Sequence, residues 1–257
     1  MRVMLNYLKM DMYRAFVNSK FIFTVIVIAF LPFLACAEKQ GYSFVNVFSS
    51  NSIFEYFNEV TFWSQIGILI FIIISFVYAD CICDDLSQGN YIYSITRGNI
   101  NGYVMSKIIC VFINSIVTFI TGMLLFAGVS YVLFGFQWEV VGEINNQYIY
   151  SYMTDRTFSG MLENKNYLIF FLCSVGTKSI LYGITSLSSL LMSLYIKNKL
   201  LIMCVPVLLI TVGSYSLEYI LPNYSGYKYV YSVDFFNMKD TSEAIIMVGL
   251  ITIVIVG

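Results

Sequence analysis

Histidine is missing from all 257 residues. A chain without imidazole has no Ser-His-Asp or Cys-His nucleophile, no His-rich zinc site and no His proton shuttle. Charge is scarce as well: 11% of residues are Asp, Glu, Lys or Arg, against about 25% in a typical soluble domain. The few charges almost cancel, 14 Lys and Arg facing 15 Asp and Glu, so no basic field exists to hold nucleic acid. With only three prolines the chain is not collagen-like, and at 59% hydrophobic residues it is not disordered. What is present in excess is apolar surface, with 18% aromatics and a mean hydropathy of +0.78. The class that remains is an all-α polytopic membrane protein.

The six cysteines lie mostly inside apolar runs. Cys81-Ile82-Cys83 is a C-x-C pair, but nothing near it completes a metal site, and no disulfide framework is suggested. These thiols read as small apolar filler. No catalytic residue and no metal ligand is assigned.

A helix rises about 1.5 Å per residue, so about 20 apolar residues cross a hydrocarbon core about 30 Å thick. Five runs meet or approach this length: 21–37, 62–79, 108–136, 167–195 and 200–217. A sixth begins at 244 and reaches the last residue, 257. Its 14 residues make only about 21 Å of helix. The expectation is that the natural chain continues past Gly257 into a basic tail. The other possibility is that the sixth helix ends in a water-accessible cavity. No repeat or low-complexity linker interrupts the chain, which predicts one domain over 1–257 with six spans.

Cation placement orients the spans. With the N-terminus in the cytosol, the inner segments hold Arg2, Lys9, Arg14, Lys20, Arg97, Lys107, Lys197 and Lys199. The longer outer segments hold Lys39, Arg156, Lys165, Lys228 and Lys239. Both termini are therefore expected inside. Ala35-Cys36-Ala37 has the A-x-A form of a signal-peptidase site, but the twenty residues before the run are long for the n-region of a signal peptide and look structured.

Those first residues form an amphipathic pattern. At 100° per residue, Met1, Met4, Leu5, Leu8, Met12, Ala15 and Phe16 share one sector, with Arg2, Asn6, Lys9 and Tyr13 beside it. Such a helix is expected to lie in the membrane interface, its cations toward anionic headgroups.

Between the second and third runs the chain reads Asp80-Cys-Ile-Cys-Asp84-Asp85-Leu-Ser-Gln-Gly89, followed by Arg97-Gly98, Tyr103 and Lys107. A short acidic helix is expected here, stopped at Gly89, because glycine takes the left-handed conformation at low cost. The pattern Asp85-x3-Gly89-x7-Arg97-x5-Tyr103-x3-Lys107 resembles the first intracellular loop of ABC-2 type permeases. It departs from that family in having Asn90 after the motif glycine and no proline before Arg97. The plan is similar too: an interfacial N-terminal helix, six spans and a polar outer segment between the last two.

The resemblance implies a permease subunit without a nucleotide site, and the chain has no G-x4-G-K-[ST] loop. ATP and Mg would then bind a partner ABC ATPase. The acidic segment would be the coupling helix seated in that ATPase, with Asp84, Asp85, Gly89, Arg97, Tyr103 and Lys107 as coupling residues. A second permease half, identical or related, would complete the pathway in a bacterial plasma membrane. Short members of the family often belong to exporters of peptide antibiotics or other amphiphiles. Two rival readings stand beside it: a membrane-embedded enzyme acting on lipid or peptide, and an ATPase-independent immunity or scaffold protein that binds a toxin or lipid.

Two polar features fall within or beside the runs. Lys178 sits in the middle of the fourth; a buried ammonium costs about 2.5–3.5 kcal/mol on insertion scales. It is expected to contact substrate or a neighbouring subunit, or else to snorkel toward a boundary. Gly183, Ser186, Ser188, Ser189 and Ser193 follow on the same run, and small residues predict close helix packing there and around Gly122 and Gly128. Tyr219, Tyr224, Tyr227, Tyr229 and Tyr231 crowd the segment before the sixth run. They suit an interfacial aromatic belt, or an outer gate by the resemblance.

Overall fold

The computed structural model describes residues 2–39, 52–87, 89, 100–138 and 165–220, and these residues are all α. Eight α-helices occur in chain order: α1 Arg2–Phe16, α2 Ser19–Lys39, α3 Ile53–Asn58, α4 Leu69–Ser75, α5 Cys81–Ser87, α6 Ile100–Phe134, α7 Tyr167–Met192 and α8 Lys199–Ile220. The sixth run, the tyrosine-rich segment beyond 220 and Arg97 lie outside the described residues.

Among the described residues, three helices are long and apolar enough to cross a membrane: Ser19–Glu38, Ile100–Phe134 and Tyr167–Met192. This is the pattern of a multi-pass membrane protein. The 35-residue α6 is the axis against which α1, α2 and α7 pack. Its length comes from extending the third run inward, so that Lys107 lies within the helix instead of at its edge.

The second run, expected as one helix over 62–79, is broken. Ile53–Thr61 and Gln65–Ser75 meet at 69°, with a π-helical turn at Glu59–Trp63 and a 3₁₀ turn at Gln65–Ile68 between α3 and α4. Ser64 is extended at the corner, and its Oγ accepts from the Ile66 amide at 3.0 Å while donating to the Glu38 carboxylate. Gly67 backs onto the carbonyl oxygen of Val60 so closely that a Cβ would collide with it. The bend is thus fixed by contacts to α2 and to the preceding turn, and composition gives no hint of it.

Small residues pack where expected, but not all of them. Gly122 on α6 lies under Ile28 of α2, where a Cβ would come within 2.6 Å, and Gly183 on α7 lies under Phe112. Ser115 donates to Ser186 across α6 and α7 at 2.8 Å. Gly128 has open space beside it, so it plays no part in the packing. Ala35, Cys36 and Ala37 are buried within α2.

Packing divides along α6. Around its C-terminal half the core is aromatic: Phe33 and Phe126 meet edge to face at 5.2 Å, Tyr56 stacks on Phe136 at 5.2 Å, and Phe57 meets Phe171 at 4.9 Å. Around its first turns a smaller cluster, including Ala15, Val77, Cys110 and Val111, surrounds a set of buried charges.

Candidate functional site, a charged hub at the start of α6

Six segments bring charge to one place: α1, α2, the turn after α4, α5, α6 and α8. Tyr103, Ser106 and Lys107 share a face of α6 by their i, i+3, i+4 spacing. Lys107 is 1% exposed, yet each of its three ammonium donors has an acceptor: Asp11 Oδ1 at 2.8 Å, Asp85 Oδ2 at 2.9 Å and the Tyr78 hydroxyl at 3.3 Å. Two rings add cation–π contacts, Tyr78 and Tyr103 each with the ammonium 5.4 Å from the centroid.

Both carboxylates are satisfied in turn. Asp11 accepts from Tyr78 at 2.9 Å and from Ser106 at 2.8 Å, and Asp85 accepts from Tyr103 at 2.7 Å. A buried charge is tolerated only when paired and fully hydrogen-bonded, and this arrangement meets both conditions. It joins α1, the turn after α4, α5 and α6 through residues up to 96 apart in sequence.

A second ring of charge surrounds the first. Asn18 caps α2, its Oδ1 accepting from the Lys20 amide at 3.1 Å, and Asn198 caps α8 in the same way with the Leu200 amide at 3.1 Å. Each cap places a lysine in the first helical turn. Lys20 then reaches Asp80 at 3.4 Å, and Lys199 reaches Asp80 at 3.6 Å and also Asp84. A cation at a helix N-terminus opposes the dipole, and these acids offset that cost. Arg14 approaches Asp85 at 3.8 Å. Among the described residues, four cations therefore face four carboxylates.

Protonation follows from burial. The Tyr78 hydroxyl is held protonated, its pKa raised by burial first and by the negative groups around it second. Burial pushes the Cys81 thiol well up, against the lowering pull of Lys107. The Lys199 ammonium is raised mainly by its hydrogen bond to Asp84. The Tyr78 phenol and the Cys81 thiol beside Lys107 are thus neutral. No group of ligands able to hold a metal ion occurs among the described residues.

The residues singled out in the sequence fare differently. Asp84 remains one-third exposed and contacts Lys199. Asp85, expected to face the cytosol beside it, turns inward to Lys107 because Tyr103 and Lys107 both demand a carboxylate there. Gly89 has φ +71°, the left-handed stop expected after α5. Tyr103 and Lys107 are buried in the hub, and Arg97 lies outside the described residues. Lys178 is elsewhere: it is 1% exposed on α7, its ammonium 5.3 Å from the Phe57 ring centroid. It does not snorkel along the surface of the chain.

Asp11, Tyr78 and Ser106 were not anticipated, and Asp80 was read only as the start of the acidic segment. Asp11 carried a signal: it lies within 20° of Met4 and 40° of Ala15 around the α1 wheel, on the edge of the apolar sector. On α1 the buried residues are Asp11 and Ala15, with Met4 and Leu8 half-buried on the same face, and Leu5 toward the sector's other edge is 53% exposed.

Beside the hub, a cleft of about 690 Å³ lies between the end of α1, the α1–α2 turn and residues 77–85. Comparison of the chain with protein-family models, with curated proteins and with solved structures finds no match.

Proposed function

We propose that this chain is the membrane subunit of an ATP-driven exporter of the ABC-2 type, moving an amphiphilic or peptide substrate. The observation that carries the reading is the seat of α5. This seven-residue acidic helix ends at a left-handed glycine and is joined by ion pairs to the starts of α6 and α8 and, through Lys107, to α1. A rigid helix held in this way passes a push from a soluble partner to several membrane helices as rigid-body motion. In this reading the partner is an ABC ATPase that binds ATP and Mg, and a second permease half completes the pathway. Six spans place both termini in the cytosol of a bacterial cell, with α1 in the interface and its exposed Leu5 toward lipid.

The test is purification of the full chain from its native membrane in mild detergent. An ABC ATPase is expected to co-purify, and substrate to stimulate its ATP hydrolysis. Asp84→Lys combined with Gly89→Val should lower that stimulation at least tenfold while the complex still assembles. Asp85 is left out of the variant because its carboxylate is buried. Purification of the wild-type chain with no ATPase, or with a bound toxin instead, would overturn the reading in favour of an immunity or scaffold role.

A further inference from the structure

We infer that the cleft beside the hub binds the headgroup of one zwitterionic phospholipid bearing a primary ammonium, with its acyl chains lying along α2. The inference rests on the chain being a membrane protein with this end at the bilayer boundary, as proposed above.

The cleft's two walls differ in charge. Arg14 and Lys20 come from the end of α1 and the start of α2, while Asp80, Asp84 and Asp85 come from the segment opposite. With Lys107 at its base, the lining holds three cations and three carboxylates. A balanced lining gives no field that favours an anionic lipid, whereas a zwitterion satisfies both walls at once. Donors remain for a phosphate: Arg14 is 48% exposed, and at 3.8 Å from Asp85 its guanidinium makes an ion pair there but not a hydrogen bond. Across the cleft, Asp84 holds Lys199 through Oδ1 and is one-third exposed, so its carboxylate, with about four acceptor sites, retains capacity for an ammonium that can donate.

The apolar half of the ligand is defined by α2. Ser19 lines the cleft, and Phe23, Ile26, Phe30 and Leu34 follow it at i+3 and i+4 spacing, with exposures of 61%, 51%, 62% and 38%. From Ser19 to Phe30 this ridge runs about 16 Å, close to half of a hydrocarbon core about 30 Å thick. A soluble protein partner would cover the charged cleft and leave the ridge bare. A phospholipid joins a polar and an apolar part at the same boundary and occupies both.

Native mass spectrometry of the delipidated full chain tests this, with phosphatidylethanolamine, phosphatidylcholine and phosphatidylglycerol as separate probes. One phosphatidylethanolamine per chain should be retained at least tenfold more tightly than the other two, because choline cannot donate and glycerol carries no cation. Glycerophosphoethanolamine, which lacks acyl chains, should bind far more weakly than the intact lipid. Arg14→Ala should weaken retention of all three lipids alike, and Asp84→Ala should remove the preference among them. Lys9→Ala, an exposed cation of α1 outside the cleft, should leave it intact. Equal retention of the three lipids, tightest retention of phosphatidylglycerol, or an unchanged preference in Asp84→Ala would each overturn the proposal. None of these measurements involves an ATPase, so their failure is separate from failure of the exporter reading.

Discussion

Lys107 and Phe126 stand on the same helix about 28 Å apart, and the two surroundings hold the bundle by different means. Around Lys107, four elements meet through charges whose distances and directions are set atom by atom. Around Phe126, rings from α2, α3, α6 and the residues just after α6 meet at tilts from stacked to edge-on, and no single geometry is required. Helix association in lipid gains little from hydrophobic transfer, since the acyl chains are as apolar as the core. The aromatic end therefore rests on close packing, which is shared over many contacts. The ionic end rests on a few contacts, each of which leaves a buried charge exposed to nothing if its partner is lost. Rigidity of position is thus concentrated where α1, α5 and α6 cross, and tolerance where the rings are.

The largest expected effect breaks the ionic end. Lys107→Met removes the cation from between Asp11 and Asp85, leaving the buried Asp11 carboxylate without a counter-ion and Asp85 with only the half-exposed Arg14 at 3.8 Å. Removing one partner of a buried pair costs about 3–5 kcal/mol, read as a lower free energy of unfolding in mixed micelles. Adding Asp11→Asn to that variant should recover part of the loss, because the stranded charge is then neutral. A cost no greater than that of truncating a ring at the other end would show that Lys107 is solvated and that the contrast between the ends is false.

The matching test at the aromatic end is Phe126→Ala. Phe126 is fully buried, and in water such a truncation costs about 3–5 kcal/mol. Part of that figure is transfer out of water, and in lipid that part is small, so the loss should fall below the range and below that of Lys107→Met. The same unfolding assay ranks the two. Equal losses would mean that packing at this end is as position-specific as the ion pairs.

Much of this contrast was hidden in the sequence, for reasons particular residues make plain. The apolar runs at 21–37, 108–136 and 167–195 foretold α2, α6 and α7 because their length alone exceeds what a soluble helix needs. Gly89 foretold the end of α5 because only its backbone had to be right. The break after Trp63 was not legible: residues 62–79 are apolar on both sides of it, and the bend depends on Glu38 reaching Ser64 and on Val60 crowding Gly67. The hub was half legible. Asp85, Tyr103 and Lys107 were picked out, but as cytosolic groups facing a partner. Their burial depends on Asp11, which lies 96 residues before Lys107 and belongs to neither the apolar nor the polar set read from the α1 wheel.

The smallest effect sharpens the comparison from its rim. Lys199 reaches Asp80 and Asp84, as Lys107 reaches Asp11 and Asp85, but it is 48% exposed where Lys107 is 1% exposed. Pairs open to solvent contribute about 0–1 kcal/mol and weaken with salt, so Lys199→Ala should barely move the unfolding free energy. Whatever it does contribute should shrink between low ionic strength and about 1 M salt, where the screening length falls to about 3 Å. The pH dependence follows from the sign of the shift. The hydrogen bond to Asp84 raises the Lys199 pKa above 10.5, so its contribution is complete below 10.5 and is lost as the pH climbs through the raised value. Unfolding measured at neutral pH and then above 10.5 should show the difference between wild type and Lys199→Ala closing, although other groups titrate there in both proteins alike. A salt-insensitive loss of several kcal/mol in Lys199→Ala would make the rim part of the buried hub and erase the gradient from shared, exposed charge to directed, buried charge.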